Sequence, residues 1–236
     1  MPGYVMHYLS ARRILDALDV TDENIISEYI KGTFAPDSVL REVKKQSHFW
    51  YESDYDKLIR RPDLNMFLKE YRERLTEPFF LGYYMHLYMD RAFLDVYWQE
   101  HYSFYDIERK PEEFFDKVHY VRVDNDAEYL RSDFFSDKMY YGDYDRLNPY
   151  IFSKYNLPVP PPFTPDIPVK EALSGDSLEN LHKMYGQMNN LAGERVPVNV
   201  NTEKLYAFDI AHILEFIDSV TDNSINMIKQ KGLMKY

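Results

Sequence analysis

The sequence predicts an all-α fold, on two observations. Apolar side chains recur at helical spacing along most of the chain, and no run of any length alternates in the two-residue period of a strand. Residues 4–18 place Val5, Leu9, Ile14, Leu15 and Leu18 on one side of a helix, with His7 turned inward beside Ala11 and Ile14. Thr21 or Asp22 caps a second helix over 22–31, whose apolar positions are Ile25, Ile26, Tyr29 and Ile30. The run from Gly32 to Ser38 breaks that helix, and a loop carrying Lys44, Lys45, Ser47, His48 and Phe49 follows. Pro62-Asp63 opens a helix to about Leu75, and Pro78 opens a long aromatic helix to about Tyr102. Further helices fit 111–118, 126–141 and 143–155. Segment 156–168 is too rich in proline to be helical and reads as an extended polyproline crossover. Helices resume at 170–190 and 202–231, joined by an Asn/Val/Pro segment at 196–201. No internal repeat occurs, and the crossover reads as a long loop inside one domain. Residues 1–236 are therefore expected to form a single all-helical domain.

Composition narrows the chemistry. The net charge of −11 argues against a nucleic-acid partner held by charge neutralisation, although a bound metal would reverse the local sign. There is no cysteine, so disulfides and thiolate metal sites are excluded and any transition metal must use His, Asp and Glu. The N-terminal Met-Pro-Gly-Tyr-Val-Met-His lacks a basic region leading into an apolar core, and no apolar stretch is long enough to span a bilayer. A cytoplasmic protein is expected. No Gly-rich phosphate loop, Gly-x-Ser-x-Gly elbow, thiol nucleophile or adjacent His-Asp pair is present.

One constellation carries chemistry. In Gly82-Tyr83-Tyr84-Met85-His86-Leu87-Tyr88-Met89-Asp90, His86 and Asp90 are four residues apart and project from one helix face. Phe79, Phe80, Tyr83, Leu87 and Phe93 surround that face, so it should be buried, and an imidazole buried with a carboxylate needs a metal ion or a partner hydrogen bond. His7, Asp37 and His48 complete a set of three imidazoles and two carboxylates, an inventory suited to zinc or another borderline divalent ion. Plainer roles stand beside these. A buried His is commonly a hydrogen-bonded core residue, Asp37 after Pro36 suits a helix N-cap, and Asp90 suits an ion pair with Arg91. His212 shares its helix with Ile210, Ile213 and Leu214, where core packing and ligation are equally served. Lys44-Lys45 and Arg60-Arg61 read as solvated charge, the first pair also suiting a substrate phosphate.

The order His7, then Gly32-Thr33-Phe34-Ala35-Pro36-Asp37, then Ser47-His48-Phe49, then the His86-x-x-x-Asp90 helix resembles the zinc-dependent phospholipase C family, closest to its small bacterial members, over roughly residues 4–98. That family is all-helical, shares its fold with single-strand-specific zinc nucleases, and hydrolyses phosphoesters at a cluster of zinc ions. The resemblance implies a multi-helix bundle of this type. In it Asp37 matches the bridging carboxylate and general base, His48, His86 and Asp90 match metal ligands, and His7 matches the early His. It implies a metal-dependent phosphoester hydrolase acting on a phosphoester small molecule or a phospholipid headgroup. The departures are specific. The secreted enzymes begin with a metal-binding Trp, where this chain has Met-Pro-Gly. They place a further His six residues after the helix Asp, where Val96 stands here, and their later His-x-x-x-Glu helix has only His212 with Glu215 as its nearest counterpart. One or two zinc ions are therefore expected, with manganese or iron as other candidates. The missing late ligands favour a rival, a non-catalytic helical binding protein retaining a degenerate metal site; a metal hydrolase acting on another bond, such as an amide, is a second.

Overall fold

A computed structural model of the chain describes residues 2–124, 126–162, 175–193 and 205–234. Helix α1 (Tyr4–Ala17) starts from the extended Gly3, whose carbonyl accepts from the Met6 and His7 N–H groups. Its buried residues include Val5, Met6, His7, Leu9 and Ile14. Helix α2 (Glu23–Phe34) is capped by Asp22, whose carboxylate accepts from the Asn24 and Ile25 N–H groups, so of the two expected caps Asp22 is the one used. The chain then passes through a 3-10 turn, Ala35–Ser38, with proline in its first turn. The stretch expected as a loop is partly ordered into a second 3-10 turn, Arg41–Val43, and a four-residue helix α3 (Lys44–Ser47) that ends at His48.

Asp63 caps α4 (Leu64–Tyr71), and Pro78 opens α5 (Pro78–Ala92), both as the sequence indicates. The aromatic helix continues through one π-helical turn, Phe93–Tyr97, into α6 (Trp98–His101). Helix α2 packs against α5 more extensively than any other pair of elements, and α1 contacts both. Two glycines make this contact possible. A Cβ added at Gly32 would lie 1.9 Å from the Phe79 carbonyl oxygen, and one at Gly82 would lie 2.1 Å from the Tyr29 carbonyl oxygen. Backbone touches backbone at both places, so no side chain can yield.

Beyond α6 the fold departs from the all-helical expectation. Three short strands, β1 (Tyr102–Tyr105), β2 (Tyr120–Val123) and β3 (Ala127–Leu130), form an antiparallel sheet in the order β1-β2-β3. Tyr102 faces Val123, and Arg122 faces Glu128 across the second pair, with a 3.3 Å ion pair between them. The expected helix 111–118 is instead turns joining β1 to β2, and the expected helix 126–141 is split into β3, α7 (Arg131–Phe134) and a turn. The physical reason is length. Each strand is four residues, and only Val121 and Val123 of β2 are buried while Tyr120 and Arg122 turn outward. Two repeats of a two-residue period are too few to stand out from flanking aromatic residues. The class is thus mostly helical with a small sheet.

Helix α8 (Tyr140–Lys154) follows, slightly longer at its start than expected. Residues 157–162 of the proline-rich crossover are neither helix nor strand, and they lie along α1 and α2. Tyr8 donates to the Pro158 carbonyl and Ser27 to the Pro162 carbonyl, each at 2.8 Å. The remainder of that expected crossover, 163–168, falls outside the described residues, as do the joining segment 196–201 and the starts of the two last expected helices. The described part of the first is α9 (Gly175–Gly193); the second departs from expectation, since residues 205–209 are not helical and α10 (Ile210–Lys231) starts only after its N-cap Asp209. Buried Asp143 in α8 ties down the approach to α10 by accepting from the N–H groups of Tyr206, Ala207 and Phe208. No helix among the described residues is long and apolar enough to cross a membrane.

The glycine contact yields a stability prediction. Gly82→Ala is expected to lower the unfolding free energy by about 3 kcal/mol or more, because overpacking a rigid contact forces backbone displacement. A replacement at the half-buried Gly186, Gly186→Ala, whose added Cβ meets nothing, should be neutral or stabilising. Urea midpoints of the two variants check this.

Candidate metal centre

Four elements converge on one point in the interior. Helix α1 supplies His7, the turn after α2 supplies Asp37, the residue ending α3 is His48, and α5 supplies His86 and Asp90. The structure therefore brings together all five residues singled out in the first half of the sequence. Asp90 is the hub. Its Oδ1 lies 3.3 Å from His7 Nε2, and its Oδ2 lies 3.4 Å from His86 Nε2 and 3.5 Å from His48 Nε2. Asp37 approaches from the other side, with Oδ1 3.4 Å from His48 Nε2 and Oδ2 4.0 Å from His86 Nε2. The rings of His7 and His86 stack at 3.9 Å, and His48 meets His86 edge-on at 5.4 Å. Four of the five are almost fully buried; the Asp37 side chain is 17% exposed.

Six polar atoms on the four buried residues of the cluster lack hydrogen-bond partners. They are Nε2 of His7 and His48, both ring nitrogens of His86, and both carboxylate oxygens of Asp90. Buried groups of this kind are costly unless something else satisfies them. A divalent ion fits the spacing. Ligand atoms around a tetrahedral zinc with bonds of about 2.1 Å stand about 3.4 Å apart, and the closest donor separations here are 3.3 to 3.5 Å. Two overlapping donor groups satisfy the geometry, His7 with His86 and Asp90, and Asp37 with His48 and His86. The surroundings orient the ligands. His48 Nδ1 lies 3.1 Å from the Lys44 carbonyl and 2.9 Å from Ser47 Oγ, whose hydroxyl donates to the Pro36 carbonyl. A proton on Nδ1 serves those acceptors and leaves the Nε2 lone pair toward the carboxylates.

Electrostatics favour neutral imidazoles beside ionised carboxylates. Burial, and then the facing His86, lower His7 to about 4, against the opposing pull of Asp90. Burial also lowers His48. His86 differs: burial lowers it, but Asp90 and Asp37 together outweigh that and raise it. Burial alone would raise both carboxyls. The imidazoles of His86 and His7 nevertheless hold Asp90 low, and Lys44, followed by His48 and His86, holds Asp37 well below the usual carboxylate range. Lys44 sits 2.7 Å from Asp37 Oδ1, and that contact outweighs burial to raise the ammonium.

A cavity of about 1050 Å³ opens beside the cluster, with Asp37 and Lys44 on its wall. Trp50 lines it too, with its ring 6.0 Å from that of His48. Two expectations are corrected. Lys45 does not line this cavity; it is exposed, with its ammonium 5.5 Å from the Tyr55 ring, because α3 turns successive side chains apart. His212 is not brought to the cluster. The apolar positions Ile213, Leu214, Phe216 and Ile217 face α10 inward and turn His212 outward, where it is 52% exposed and stacks at 4.9 Å on His101. The sequence reading missed Arg60 and Arg131 on the cavity wall, since Arg60 read as solvated charge and Arg131 lay in an expected helix. Among known proteins, no family model, no curated protein and no solved structure matches this chain.

Metal uptake is expected to expel protons. His86 must be deprotonated to ligate, so binding should weaken as pH falls through its raised pKa and should release a proton where His86 is still charged. Calorimetric titration of chelated protein with zinc in two buffers of different ionisation enthalpy measures that release, and identical heats would contradict it.

Proposed function

We propose that the chain is a metal-dependent phosphoester hydrolase, with zinc the favoured ion, built on a helical core of the phospholipase C and zinc nuclease type. The observation that carries the reading is the unpartnered set on His7, His48, His86 and Asp90 standing directly behind Asp37 and Lys44 on a cavity wall. The five residues also occur in the order that the resemblance requires. His7, His86 and Asp90 would hold one ion, and Asp37, His48 and His86 would hold a second or share the first. A zinc, manganese or iron ion there would lower the pKa of water and offset negative charge on phosphoryl oxygens.

The chain's own residues complete the chemistry. Asp37 is the cluster carboxylate with access to the cavity, and it is held ionised, so it can orient an attacking water and take its proton. Lys44 keeps its positive charge on the same wall and offers three donors to a phosphate oxygen. His48, fixed through Nδ1, keeps its Nε2 aimed at both carboxylates. A phosphoester small molecule or a phospholipid headgroup is the corresponding substrate class.

The non-catalytic reading is favoured by the missing late ligands: His212 stays away from the cluster, and the two groups of three donors share His86, so they can close around a single ion. Ion count therefore separates the two. Elemental analysis of protein purified without added metal or a His tag is expected to give about two ions per chain; a single tightly held ion and silence against a phosphodiester panel would favour the structural role. Asp37→Asn is expected to lower phosphodiesterase kcat by about 10²-fold or more, while the His7, His86 and Asp90 donors still retain metal. His86→Ala should lose both metal and activity, and full activity in His86→Ala would refute the assignment. Inhibition by free phosphate distinguishes a phosphoesterase from an amidase.

A further inference from the structure

The cavity carries positive charge that the metal cluster does not use. The guanidinium carbon of Arg60 lies 5.3 Å from the Trp50 ring and 5.6 Å from the Phe115 ring, and that of Arg131 lies 4.4 Å from the same Phe115 ring. Arg60 Nε donates to the Lys57 carbonyl at 3.1 Å, and Arg131 donates to the Phe115 carbonyl. Among the described residues no carboxylate lies within ion-pair distance of either. Their neighbours differ. Arg61 is engaged by Asp54 and Asp95, and Arg109 and Arg122 by Glu128. Other cations among the described residues, Lys45 and Lys69 among them, also lack an acidic partner, but Arg60 and Arg131 stand on the wall of one cavity, whose acidic lining residues are Asp37, paired with Lys44, and Glu42.

Trp50 adds ring surface to the same wall. Guanidiniums held against aromatic rings keep their remaining N–H groups available in the ring-free plane, where they suit a phosphate or carboxylate. The series His48, Trp50, Arg60, Phe115, Arg131 is continuous, each member within 6.0 Å of the next, so these donors adjoin the cluster and share its cavity.

We infer that Arg60 and Arg131 form a second anion subsite in the cavity, and that the substrate is a phosphoester carrying a second anionic group, phosphate or carboxylate, away from the bond that is cut. The identity of the scissile group rests on the proposed hydrolase; the subsite does not. The two arginines disfavour a cationic headgroup at this position. The anion can belong to a soluble metabolite or to a lipid headgroup, and both present the same chemistry.

The test is calorimetric titration of the chelated full-length chain with propane-1,3-diol bisphosphate and with propyl phosphate. The bisphosphate is expected to bind about tenfold more tightly, the loss typical of removing one charge-assisted pair. Arg60→Ala and Arg131→Ala should each weaken the bisphosphate and propyl phosphate alike, because a lone phosphate also seats on the arginines, and Arg60→Lys should keep part of the affinity. Binding of either ligand that is unchanged in both alanine variants overturns the subsite. Absence of metal and turnover with the preference intact removes the hydrolase reading and leaves the subsite standing. Sedimentation with vesicles of phosphatidylinositol 4-phosphate, lost in Arg60→Ala, assigns the anion to a lipid; bisphosphate binding without vesicle binding assigns it to a soluble ligand.

Discussion

A carboxylate with no exposed surface and no hydrogen-bond donor sets the demand that much of this structure answers. Asp90 lies in the middle of an aromatic helix, and an ionised group there carries a desolvation penalty of several kcal/mol unless compensated. Compensation comes from three imidazoles on three different segments, each at 3.3 to 3.5 Å. Such spacing is too long for good hydrogen bonds and suited to donors gathered around an ion. The convergence of α1, the turn after α2, the end of α3 and α5 on Asp90 is thus both an architectural fact and a chemical one.

Close helix contact makes that convergence possible. Gly32 and Gly82 let the backbones of α2 and α5 meet, and Asp37 follows Gly32 by five residues while His86 follows Gly82 by four. Each glycine therefore lies about one turn before a residue that must reach the cluster, so the tightest packing and the candidate chemistry share one interface. Lys31, buried next to Gly32, pairs with Glu28 of the same helix at 2.6 Å.

How much of this was legible follows from what each signal requires. The His86 and Asp90 pair needs only helical spacing and apolar flanks, and both are visible in a single segment. His7, Asp37 and His48 were legible through their order beside that segment. The sheet was not, because its strands are four residues each and lie among aromatic residues that suit helix and strand alike. His212 misled because a histidine beside three apolar residues reads inward, whereas the registration of α10 buries Ile213 and Ile217 and exposes it. Arg60 and Arg131 were illegible in principle. They are 71 residues apart in sequence, and their common contact with Phe115 exists only once the region around the sheet has folded.

The unexpected sheet region then takes on functional weight. Phe115 lies in the turns between β1 and β2, and Arg131 directly follows β3, so this unit furnishes cavity wall opposite to nothing the helical core supplies by itself. The core places Asp37 and Lys44, a charge pair that is neutral as a unit. The sheet unit places Arg131 and the segment before α4 places Arg60, neither of them within ion-pair distance of a carboxylate among the described residues. A substrate phosphate reaching Lys44 competes with Asp37 for it, whereas an anion reaching Arg60 or Arg131 displaces no acidic partner. On that difference, the proposed subsite would supply most of the anchoring free energy, and the Asp37 side would be left free to respond to the bound group. In the proposed hydrolase, the division between a tightly coupled ionic cluster and a separate cationic wall would let one cavity hold a substrate at one end and act on it at the other.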